Sequence, residues 1–141
     1  MEDSLKLKGD VFITVKEERH EENLVVSAGL NFICDRMEGT SEAVMSHMGL
    51  GSGTTAAAAG QTDLVTLLGS REALDSTTVS TNTITYVASF EAGDATGAVT
   101  EAGIFNASTA GTMLCRVVFA AINKAADDTM SVTWVITLTA S

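Results

Sequence analysis

Residues 47–60 read His-Met-Gly-Leu-Gly-Ser-Gly-Thr-Thr-Ala-Ala-Ala-Ala-Gly. Alternating glycines followed by small and hydroxyl residues could cradle a phosphate, because backbone N–H groups close on an anion where no Cβ intervenes. A dinucleotide loop requires G-x-G-x-x-G between a strand and a helix, with an acid about 20 residues further on. Gly49, Gly51 and Gly53 supply G-x-G-x-G; counted from Gly51, the third position is Ala56, and Glu72 lies near the required distance. The surrounding pattern is antiparallel β rather than repeated βαβ, which removes the context such a loop needs. A Walker loop requires Gly-Lys-Ser/Thr, and no lysine occurs between Lys16 and Lys124. The stretch therefore reads as scaffold. Val44–Leu50 is a strand, Gly51-Ser52-Gly53 turns the backbone at positive φ, and the alanines pack closely or form an extended connection.

The other reactive side chains form no catalytic set. His20 and His47 are the two histidines. His20 sits among glutamates, too few fixed ligands for a metal site, and His47, between Met45 and Met48, reads as a packed or interface residue. No G-x-S-x-G elbow is present. Cys34 and Cys115 belong to no C-x-x-C motif and read as reduced, buried, apolar thiols. Asn106-Ala107-Ser108 matches a glycosylation signal by accident. The expectation is a protein that is not an enzyme and takes no cofactor and no metal. One charged pair does stand out, Glu101 and Arg116, on the two strands of a predicted hairpin.

That hairpin is formed by 98–106 and 112–120 around the turn 107–111. A centred turn places Glu101 directly opposite Arg116 and Val99 opposite Val118, a structural ion pair that sets the register. Alternation also marks strands at Ile84, Tyr86, Ala88, Phe90 and at Val132, Trp134, Ile136, Leu138. Near the N-terminus, a strand from about Leu5 to Lys16 meets a charged tip, 17–23, and returns through Leu24-Val25-Val26. Ser27 caps a helix over about 28–38 whose apolar face is Leu30, Ile33, Cys34 and Met37, closed by Gly39. A shorter helical turn is expected over 62–68, capped by Thr62 or Asp63. The fold class that follows is mainly β: an antiparallel β-sandwich, jelly-roll or Ig-like, with an N-terminal β-hairpin and one short α-helix. Residues 1–26 form an N-terminal arm and hairpin and 27–141 the sandwich, together one compact domain.

The chain has 141 residues, 18 acids and 8 bases, for a net charge of −10. This balance excludes nucleic-acid binding, which needs a basic patch to displace counterions. No run approaches the roughly 18 apolar residues of a membrane helix, and the N-terminus shows no secretory signal. The charges concentrate in residues 1–42, with ten acids and five bases against eight and three in the rest. A region so poor in charge suits a β domain partly covered by neighbours. The absence of proline removes one guard on the sheet edges. The charge-rich N-terminal hairpin is the candidate for partner contact, through Lys6, Lys8, Phe12, Glu17, Arg19 and His20.

The motifs Asn23-Leu24-Val25-Val26…Ala28-Gly29-Leu30, 47–55, Ile84-Thr85-Tyr86, 100–106 and Val132-Thr133-Trp134-Val135-Ile136 give the chain a family likeness. In their order and approximate spacing it resembles small structural proteins of tailed-bacteriophage virions, capsid cement or decoration proteins and tail-fibre-like β-sandwich proteins. The resemblance implies a head decoration protein, made in the bacterial host cytoplasm and sited on the outer surface of the capsid. It would bridge major capsid proteins, as a homotrimer, to stabilise the DNA-filled shell. The alternative it leaves open is a tail or baseplate fibre module involved in host attachment. It implies no catalytic residue.

Overall fold

The computed structural model describes residues 5–15, 18–39 and 41–140. In chain order the elements are β1 (Leu5–Thr14), β2 (Glu18–Val25), α1 (Ser27–Glu38), β3 (His47–Gly51) and β4 (Glu72–Ala73). They continue with β5 (Ser76–Ser80), β6 (Thr83–Phe90), β7 (Gly97–Phe105), β8 (Met113–Lys124) and β9 (Met130–Ala140). The strands form one antiparallel sheet, ordered β4-β3-β7-β8-β2-β1-β9-β6-β5 and curled into a half-barrel. The expected mainly β sandwich, with its N-terminal hairpin and short helix, is thus observed, and its two layers are the halves of a single sheet. The corner is β2. It pairs with β1 from Gly9↔Asn23 to Thr14↔Glu18, but with β8 only at Leu24↔Arg116 and Val25↔Cys115.

Alternation explains the core. On β9, Met130, Val132, Trp134 and Ile136 are buried; on β6, Tyr86, Ala88 and Phe90; on β1, Val11 and Ile13. These meet Met48, Leu50, Val99, Ala102, Ile104, Cys115 and Val117 from the other half of the sheet in one cluster. Side chains of this size each contribute roughly 1.5–3 kcal/mol when fully buried. Near their shared turn β7 and β8 are buried on both faces, because the chain between β3 and β4 lies over them. There Leu64 packs with Val26, Phe105 and Met113 in a second, outer cluster.

Several local expectations change. The charged tip expected at 17–23 is mostly strand: β2 runs through Glu18–Val25 with every second residue exposed, so Glu18, His20 and Glu22 face water while Arg19 and Glu21 lie on the half-buried face of a corner strand. The hairpin is also no appendage, since β1 lies between β2 and β9 and Val11 and Ile13 are in the core. The strand expected at Val44–Leu50 is shorter and later, His47–Gly51. β4 and β5 carry no periodic signal and were not expected. Residues 62–68 form no helical turn; the N–H groups of Val65 and Thr66 point to the Glu101 carboxylate instead.

The helix has its expected span but a different cap and face. Val26, not Ser27, is the N-cap, and the Ser27 N–H donates to the Ala59 carbonyl. Gly39 ends the helix in the left-handed region. The buried residues are Gly29 and Phe32, whereas Leu30 is 45% and Met37 78% exposed. Cys34, expected to be buried, is exposed. The reason is Gly29. A Cβ there would overlap the Leu114 carbonyl on β8, so the helix turns its smallest residue inward and lies close against the strand. Replacing that hydrogen by a methyl must push α1 off β8. Gly29→Ala should therefore lower stability by about 1–3 kcal/mol, read as an earlier midpoint in urea unfolding with an unchanged slope.

Candidate functional site

Glu101 on β7 and Arg116 on β8 are both fully buried, and the Arg116 Nε lies 3.1 Å from Glu101 Oε1. They are not directly opposed. Glu101 stands opposite Val118 and Gly103 opposite Arg116, while Val99 faces Ile122. The turn closes where the Asn106 N–H donates to the Thr112 carbonyl, and Leu114 is an extra residue between the pairs Ile104↔Cys115 and Phe105↔Met113. Together these slide β8 two positions from the centred register. A slip of two keeps both side chains on one face, so the pair forms along the diagonal, past a glycine that presents no side chain.

The carboxylate is saturated. Oε2 accepts from the N–H groups of Gly53 at 2.6 Å and Thr66 at 2.9 Å. Oε1 accepts from the Val65 N–H at 2.8 Å and from Arg116. Four donors fill the lone-pair sites of one carboxylate. No site remains to take a proton from a substrate, so Glu101 holds structure rather than acting as a general base. Arg116 in turn donates through Nη1 to the Thr55 carbonyl and to Gln61 Oε1, each at 2.9 Å. Gln61 receives the Ala58 N–H and donates to the Ala56 carbonyl, and Thr100 Oγ1 donates to the Gly53 carbonyl. One ion pair thus fastens the loop from Ser52 to Thr66 onto the outer face of the sheet.

This geometry explains the glycine stretch. Neither Gly51 nor Gly53 has positive φ, contrary to expectation. A Cβ on Gly51 would overlap the Thr66 carbonyl, and one on Gly53 would overlap the Glu101 carboxylate and Val65. The glycines are there for close approach. The N–H of Gly53 does meet an oxyanion, as in a phosphate loop, but the anion is the protein's own glutamate.

The other residues singled out in the sequence fall in two places. Lys6, Lys8, Phe12 and His20 share the outer face of the β1–β2 hairpin, since Phe12 pairs with His20. There the Phe12 and His20 rings stack at 4.9 Å, and Asp10 Oδ1 lies 2.8 Å from His20 Nε2 and 3.6 Å from Lys8 Nζ. Arg19 is on the opposite face, donating to the Ala120 carbonyl, paired with Glu21 at 3.1 Å and set over the Phe119 ring. Glu17 lies outside the described residues. His47 is half-buried, its Nδ1 2.8 Å from Ser46 Oγ.

Arg71 was not anticipated. Its Nη1 donates to the carbonyls of Ala107 and Ala110, and its guanidinium lies 3.5 Å from the Phe105 ring centroid. It clamps the β7–β8 turn, a role no local pattern announces. No group of three or more His, Cys, Asp or Glu side chains that could hold a metal occurs among the described residues. Burial pushes the Cys115 thiol well above its ordinary range, which suppresses the nucleophilic thiolate. Burial, with Cys115 nearby, also pushes the Tyr86 hydroxyl up to about 12.

Comparison of the chain with models of protein families, with curated proteins and with solved structures finds no match.

Three outcomes follow from this geometry. Glu101→Gln leaves the Arg116 charge buried beside an amide and turns an NH2 toward backbone donors. Stability should fall by about 3–5 kcal/mol, and amide exchange in 52–66 should accelerate most. The two thiols should separate cleanly: a thiol reagent labels Cys34 in the native protein and Cys115 only on unfolding. Both Cys115 and Tyr86 stay protonated in the fold when the unfolded chain has begun to lose those protons. Stability should therefore decline as pH rises from about 9 towards 12, measured as the urea midpoint against pH.

Proposed function

We propose that this chain is a structural subunit of a tailed-bacteriophage virion, a head decoration (cement) protein on the outer surface of the capsid. In this reading it self-associates as a homotrimer, binds the major capsid protein and bridges neighbouring copies against the pressure of packaged DNA. It acts as a clamp and performs no chemistry. A modest contact repeated over a symmetric shell gives large collective stability.

The observation that carries the reading is the placement of charge. Residues 43–141 contain three bases, Arg71, Arg116 and Lys124. Each is turned inward: Arg71 to the β7–β8 turn, Arg116 to Glu101, and Lys124 to the Glu91 carbonyl at 2.8 Å. What faces outward over these residues is acidic or neutral, and Val44, Val65, Leu67 and Val79 lie exposed there. Exposed apolar residues on a surface that turns no base outward suit a partner with a complementary basic rim. The stacked Phe12–His20 pair, with Lys6 and Lys8 on the same face, offers a second contact surface of mixed charge.

Purified virions labelled with gold-tagged antibody against this chain and imaged by electron microscopy test the proposal. Gold spread over the heads is the expected outcome. Gold confined to the tail tip would replace the cement role with a fibre module for host attachment, and unlabelled virions would remove both.

A further inference from the structure

The sheet ends in two edges, β4 and β5. β4 has two residues, one of them Glu72, and the chain beyond it is held down, with Leu74 N–H donating to Ser46 and Asp75 N–H to Val87. β5 is different. Its five residues, Ser-Thr-Thr-Val-Ser, are all exposed, and it pairs with β6 alone, from Ser76↔Val87 to Ser80↔Thr83 without a bulge. Its other side presents a row of backbone donors and acceptors. Proteins blunt such edges with lysine, proline or a bulge; residues 76–90 contain no proline and no charged side chain.

A second observation lies beside that edge. Thr77 and Val79 stand opposite Tyr86 and Ile84, on the face that packs the core further along β6. Here the core is uncovered. A groove of about 340 Å³, walled by Phe32, Arg36, Val44, Met45, Ile84 and Tyr86, opens next to Thr77, and Val79 is 70% exposed.

We propose that β5 is an interface between two copies of this chain. The β5 strands pair antiparallel about a twofold axis, joining the two sheets. An antiparallel edge is complementary to itself under a twofold, whatever its side chains. With Thr78 on the axis, Val79 of each copy falls opposite Thr77 of the other and covers that copy's groove. Charge selects the same place. At a net charge of −10, two copies approach most easily through an edge without acids. In this register the nearest acids on the strand, the two Asp75 side chains, fall at opposite ends of the ladder, about 20 Å apart. That exceeds the screening length of about 10 Å. The contact is small, so the free chain dimerises weakly, and copies held at high local density pair readily. The homotrimer of the virion reading would form on the capsid through another surface, so the inference concerns the isolated chain and stands whether or not that reading does.

Sedimentation equilibrium of the purified chain, from low micromolar to about 1 mM, tests it. A monomer–dimer equilibrium is expected, strengthened by added salt, which screens the like net charges. Val79→Glu sets two acids on the diagonal across the axis, about 7–8 Å apart, and should weaken dimerisation at least about tenfold; Thr78→Lys, which puts two lysines directly opposite on the axis, should do the same. Thr109→Glu, the same change in charge at the exposed turn between β7 and β8, should leave it within about twofold. A chain that stays monomeric throughout, or a dimer weakened equally by Thr109→Glu and Val79→Glu, would overturn the proposal. So would an oligomer insensitive to both β5 variants.

Discussion

A carboxylate and a guanidinium taken wholly out of water lose several kcal/mol of hydration each, and only excellent geometry returns it. Glu101 meets that condition by recruiting a loop, and Arg116 meets it through Nε and Nη1, its buried Nη2 being left without a partner. The carboxylate takes three backbone N–H groups from Gly53, Val65 and Thr66 besides Arg116, and the arginine takes Thr55 and Gln61. The loop, which has little regular structure of its own, receives in exchange the partners its backbone lacks. Loop and ion pair need one another, and neither would be stable in place alone.

The outer cluster depends on that arrangement. Leu64 is carried by the fastened loop, and it seals Val26, Phe105 and Met113. This is why β7 and β8 are buried on both faces while β6 and β9 alternate. Gly51 and Gly53 belong to the same device, because the loop can descend onto the strands only where no side chain intervenes. A sequence that looks like a ligand-binding loop is occupied by an anion from its own chain.

The same economy of charge shapes the surface. Arg71 and Lys124 act as internal staples, as Arg116 does, and among the described residues every acid but Glu101 stays at least partly exposed. Internal architecture therefore sets the electrostatic character that a partner meets. The β5 edge, neutral and uncovered, is the one long interruption of that character on the rim of the sheet.

Much of the architecture is legible from residue order. Side-chain alternation is a local property, so β6, β9 and the β7–β8 hairpin follow from period two, and the span of α1 from its apolar spacing and Gly39. The strand β5 was invisible because all its residues are exposed and no alternation appears. The helix face was misread because Gly29, the residue in closest contact with β8, carries no hydrophobic signal. Glu101 and Arg116 could be matched as charges, but their register could not, since the turn closing at Asn106 and Thr112 and the extra residue Leu114 decide it together. Composition and near-neighbour pattern carry the class of fold, the excess of acid over base and which of the long strands bury a face. What the glycine loop holds, which way the helix turns and where the sheet ends emerge from the folded chain. Those depend on contacts between residues tens of positions apart, such as Gly53 and Glu101, and no local pattern encodes them.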